Sequence, residues 1–157
     1  MKPKKISDIK KALKLLSEQE LMTVIQKLAA FKVENKDLLT YLLFYKNAEQ
    51  TYTDEMINQL SNDFQELNKS NAYYIRKGLR KLEKKLNKHA RILKNGHMEI
   101  QIWIAFLRHF KQEIAPDHRR QLSKLQERLF IKAEKKICDL HPDLQYDYKK
   151  ELNTLFN

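Results

Sequence analysis

Only two glycines, Gly78 and Gly96, occur in a chain of 157 residues. Glycine supplies the positive-φ turns of tight hairpins and lines the phosphate-cradling loops of nucleotide-binding folds. A chain so poor in glycine, with three prolines besides, has little means of building turn-rich β architecture. The apolar residues point the same way, recurring at steps of three and four, the period of one helix face. The pattern predicts an all-α fold of about eight antiparallel helices in one domain over residues 1–157. A compact bundle and a short HEAT-like array of helical hairpins both fit the segment lengths.

The expected helices follow from caps and apolar sets. Ser7 can cap a helix over about 8–16, with Asp8 at its positive end. Ser17-Glu18-Gln19-Glu20 is a capping box for a helix over about 18–33, with Leu21, Val24, Ile25, Leu28 and Phe31 on one face. A third helix, about 36–49, would turn Leu38, Leu39, Leu42 and Leu43 inward. Thr53-Asp54-Glu55 starts a fourth, carrying Met56, Ile57, Leu60, Phe64 and Leu67. Ser70 or Asn71 opens the longest, about 71–94, whose seam Ile75, Leu79, Leu82, Leu86, His89, Leu93 keeps heptad spacing. Asn95-Gly96 reads as its stop, with glycine in the left-handed conformation. Residues 97–114 are apolar around most of the circumference and should form the central helix, with Trp103, Phe106 and Phe110 buried. Ile100–Ile104 alternates as a strand would, but no second strand is available to pair with it. Pro116-Asp117 and Pro142-Asp143 begin helices reaching about 139 and 155. Gly78, inside a helix, suggests close approach by a neighbour.

Charge is unevenly placed. The net formal charge is +11, yet residues 17–70 carry nine acidic and five basic residues, whereas residues 71–95 carry nine basic and one acidic. On the long helix Lys77, Lys81, Lys84, Lys88 and Arg91 step 4-3-4-3 opposite the apolar seam, and Arg76, Arg80, Lys85 and Lys94 widen the strip. Like charges at these spacings repel, and an anionic partner would relieve the strain. A solvated face that keeps a small protein soluble is the simpler reading. A second row, Arg120, Lys124, Arg128, Lys132 and Lys136, is tempered by Glu127 and Glu134. Tyr73 and Tyr74 at the head of the basic helix, and Tyr41, Tyr45 and Tyr52 before it, could stack on unpaired bases or could serve as core and rim residues.

Other chemistry is thinly supplied. His89 lies on the apolar seam and reads as a packed histidine. His109 with Glu113, and Cys138 with His141, have ligand-like spacing but too few partners for a metal. Cys138, flanked by Ile137 and Leu140, should be a buried thiol. No nucleophile elbow or phosphate loop is present, so neither catalysis nor a cofactor nor a small-molecule substrate is expected. The single cysteine cannot form an internal disulfide, and the basic N-terminus lacks a continuous apolar stretch, so a cytoplasmic chain is expected. No apolar run approaches the roughly 18–20 residues of a membrane span, and no membrane partner is expected.

The segments Glu34–Phe44 (ENKDLLTYLLF), Leu67–Leu82 (LNKSNAYYIRKGLRKL) and Leu140–Leu152 (LHPDLQYDYKKEL) resemble a group of uncharacterised small helical bacterial proteins. The resemblance implies an all-helical fold and a bacterial origin and carries no site residues. Two functions remain in view: a non-enzymatic scaffold or adaptor that binds another protein, and sequence-independent nucleic-acid binding through Arg76, Lys77, Arg80, Lys81, Lys84, Lys85, Lys88 and Arg91.

Overall fold

The computed structural model describes residues 2–156. Among them are nine α-helices, one π-helical turn and no strand. The chain divides between Phe44 and Tyr45 into two compact units.

The first unit holds α1 (Ile6–Leu13), α2 (Glu18–Phe31) and α3 (Val33–Thr40). Ser17 caps α2 as the sequence predicts. Its Oγ accepts from the Glu20 amide at 3.3 Å, and the Glu20 carboxylate accepts from the Ser17 amide at 2.8 Å. The start of α1 differs from expectation: Lys5 occupies the cap position without a side-chain bond, and Ser7 lies in the first turn. The expected inward faces also differ. No residue of α1, α2 or α3 is buried; Ile25, Leu28, Phe31, Leu38, Leu42 and Leu43 are all exposed. Three short helices have too little surface to enclose one another's apolar sides. After α3 the chain widens into the π-helical turn Tyr41–Tyr45 instead of continuing as an α-helix to residue 49.

The second unit contains α4 (Glu49–Gln65), α5 (Ala72–Leu93), α6 (Gly96–Glu113), α7 (Pro116–Gln121), α8 (Ser123–Cys138) and α9 (Pro142–Phe156). α6 is its hub, packing against α4, α5, α8 and α9. A helix shared by four others belongs to a bundle, since in a linear array each repeat touches only its neighbours. Trp103 and Phe106 are fully enclosed and Phe110 nearly so. Phe106 meets Phe64 of α4 edge-on at 5.3 Å and Trp103 at 5.7 Å. The α5 seam is buried at Ile75, Leu79, Leu82, Leu86 and Leu93. His89, half-buried on the same seam, meets the Tyr52 hydroxyl through Nδ1 at 2.6 Å.

Three boundaries depart from the sequence reading. α4 begins at Glu49, four residues before Thr53, whose hydroxyl donates back to the Glu49 carbonyl and is buried. The seventh expected helix is split, because Leu122 leaves helical geometry to enter the core. Between α5 and α6 the left-handed residue is Lys94, at φ 51°, not Gly96. Asn95 instead caps α6, accepting from the amides of His97 and Met98 at 3.1 and 3.3 Å. Gly78 does mark a close approach: a Cβ there would lie 2.3 Å from Leu67 Cδ2. Among the described residues no helix is long and apolar enough to cross a membrane.

Candidate anion-binding cleft

Asn71 fixes the head of α5, its Oδ1 accepting from the amides of Tyr73 and Tyr74 at 3.0 and 3.1 Å. With the apolar seam turned to α4 and α6, the helix presents its basic side outward. Arg76, Lys77, Arg80, Lys81, Lys84 and Arg91 are exposed. Two members of the expected strip are placed otherwise. Lys85 is half-buried and donates to Asp63 Oδ2 at 2.6 Å, and Lys88 is also half-buried. Rotational position accounts for Lys85, which lies nearer the seam than residues 77, 81 and 84.

The basic face of α5 is one wall of a cleft of about 590 Å³. Arg76, Arg80, Glu83, Lys84 and Asn87 line it from α5, and Lys124, Leu125 and Arg128 from α8. Two rows some forty residues apart in sequence thus converge. The one carboxylate, Glu83, is already engaged. Arg128 donates to both its oxygens, at 2.9 and 2.6 Å, and Lys132 donates to Oε1 at 3.0 Å. The Arg128 hydrogen bonds hold the Glu83 carboxyl below its ordinary range, so it is ionised at neutral pH. Lys132 also donates to Asn87 and lies 4.5 Å from the centre of the Trp103 ring, tying the cleft floor to the core. Lys136 pairs with Glu99, and Arg120, which falls on α7, pairs with Asp117 at 3.5 Å.

A second hollow of about 450 Å³ lies along the same helix, lined by Tyr73, Arg76, Lys77, Arg80, Lys81 and Lys84. Arg76, Arg80 and Lys84 therefore form a ridge shared by both hollows. Among the described residues these three, with Lys77, Lys81 and Lys124, form no side-chain ion pair. Their field is uncompensated at close range, which is what a bound polyanion would meet.

The remaining candidates lie apart from the cleft. His109 stacks on Phe64 at 5.5 Å, and burial lowers its pKa. Glu113 accepts from Lys69 at 2.9 Å. Cys138 is exposed, contrary to the buried thiol expected, because α8 turns Ala133 and Ile137 to the core and leaves its last residue outside. His141 lies 3.3 Å from Asp143. Tyr52 is buried against His89, and Tyr45 donates to Glu55 at 2.7 Å, so of the five tyrosines only Tyr73 and Tyr74 stand exposed. Lys124 and Arg128 are the cleft residues that sequence reasoning did not join to the α5 strip. Comparison with family models, with curated proteins and with solved structures finds no match to this chain.

Proposed function

We propose that this chain binds nucleic acid without sequence preference, seating a phosphate backbone in the cleft between α5 and α8. The observation that carries this reading is the convergence of Arg76, Arg80, Lys84, Lys124 and Arg128 on one cleft whose single carboxylate is already neutralised. Contacts of this kind go to phosphate and carry no base information. Each phosphate neutralised releases condensed counterions, so affinity falls steeply with salt. On duplex DNA, four or five contacts give a log–log slope of about −4. A labelled oligonucleotide titrated at rising salt should show that slope, and the Arg76→Glu/Arg80→Glu/Lys84→Glu variant should not bind. These side chains are exposed, so the variant should keep its helical circular dichroism. Salt-independent binding, or wild-type binding by the variant, overturns the reading.

The scaffold reading draws on a separate observation, the exposed Ile25, Leu28, Phe31, Leu42, Leu43 and Phe44 of the first unit. Where such groups form one contiguous patch they mark a protein docking surface. Binding of a protein partner that survives the triple charge reversal and is lost in Leu28→Ser/Phe31→Ser would favour it. The resemblance to small helical bacterial proteins adds no residue to either reading.

A further inference from the structure

Tyr73 is 68% exposed and lies at the head of the shared ridge. Tyr73, Arg76, Lys77, Arg80 and Lys84 follow one another at steps of three, one, three and four, so they occupy one stripe of α5 about 16 Å long. The ridge residues face the α8 cations on one side and the tyrosine hollow on the other. The Tyr73 ring meets that of Tyr74 edge-on at 5.4 Å, and the turn that bears both is capped by Asn71. An exposed aromatic ring beside a row of cations serves two parts of one ligand: phosphates on the ridge, and an unpaired base on the ring.

We infer that the ligand is a single-stranded nucleic acid, with Tyr73 as the platform on which a base stacks. This rests on the reading of the cleft as a phosphate site. A duplex satisfies the cations but keeps its bases stacked inside, so Tyr73 adds nothing to duplex binding. A single strand can turn a base outward, and stacking on an aromatic side chain is sequence-tolerant. Acidic proteins would also answer the charge, but a single strand carries a phosphate and a planar base on every unit, which is the combination that ridge and ring present together.

The test compares labelled oligothymidylate, oligouridylate, an abasic strand of the same length and a duplex, by fluorescence anisotropy at low salt. Wild type should bind at least one of the base-bearing single strands more tightly than the abasic strand or the duplex. Tyr73→Ala should weaken that binding by about fivefold or more, fivefold being the low end of one lost stack, and leave abasic and duplex binding unchanged. Tyr73→Phe, which keeps the ring, should bind as wild type. Equal loss on all ligands, or none on any, overturns the stacking inference while the phosphate reading stands. No binding of any ligand by wild type removes both. Should Tyr73→Ala disturb the α5 head, Tyr73→Phe against Tyr73→Leu, of similar apolar bulk, makes the same comparison.

Discussion

Arg128 reaches from α8 to α5 and holds Glu83 with both terminal guanidinium nitrogens, at 2.9 and 2.6 Å. The pair closes the basic cleft on one side and keeps its only carboxylate occupied. An incoming phosphate would compete with Glu83 for the same guanidinium, so the pair both builds the cleft and restrains it.

Glu83→Gln removes that competitor. Polyanion affinity should rise several-fold, with a steeper salt dependence, because Arg128 becomes available for one further contact. Stability should fall by about 1 kcal/mol at neutral pH, a value moderated by the half-exposed Arg128. The sign with pH follows from the depressed carboxyl pKa. Its stabilisation is fully present above about 4.5, the ordinary value, and is lost as pH falls through the lower native value. Urea titrations between neutral pH and pH 3 should show a shallower acid loss in Glu83→Gln than in wild type; identical curves would remove this account.

Burial lowers the His109 pKa, and its Nδ1 is enclosed with no hydrogen-bond partner among the described residues. The unfolded chain therefore takes up a proton near pH 6.5 before the folded one does. Stability should decline as pH drops below that point, and His109→Leu should flatten the decline. Denaturation midpoints at two pH values on either side of 6.5 give the comparison. An unchanged pH dependence in the variant would place the loss elsewhere.

Trp103 is wholly enclosed at the centre of α6, in contact with Phe106 and beneath Lys132. Trp103→Ala should cost about 3–5 kcal/mol, the range for emptying a large aromatic site. Circular dichroism followed through urea unfolding measures it. A loss below about 1 kcal/mol would mean that α6 is not the hub of its unit.

Lys94 holds a left-handed conformation, φ 51° and ψ 28°, that glycine adopts at little steric cost. Lys94→Gly should stabilise the protein by up to about 1 kcal/mol, since relief of the left-handed strain exceeds the added freedom of the unfolded chain. A thermal midpoint lowered by the substitution would contradict the observed link between α5 and α6.

The helical fold could be read from residues because its signals are local. Ser17 and Asn71 cap the helices they should, and the heptad seam of α5 is the face that packs. The errors fall where distant packing decides. Nothing around Leu122 marks a break, yet a place in the core pulls it out of helical geometry. Thr53 resembles a cap in sequence but is buried within α4. Gly96, two residues after Lys94, drew the left-handed assignment two positions too far, because Asn95 was needed as a cap for α6. The site shows the same division. The strip on α5 is visible in the 4-3-4-3 spacing, but its meeting with Lys124 and Arg128 depends on how α8 lies beside it. The capture of Lys85 by Asp63, twenty-two positions earlier, depends likewise on tertiary placement.

Arg76, Arg80 and Lys84 border both hollows at once. Electrically the hollows are then one site with two mouths. An anion seated in either spends the charge that the other would offer, and each weakens the other's hold by the same factor. Small anions should therefore displace a bound strand from whichever side they enter. However long the strand, each chain should grip it along a single track, and crowding more chains onto it should lengthen the row rather than stack a second strand on the first.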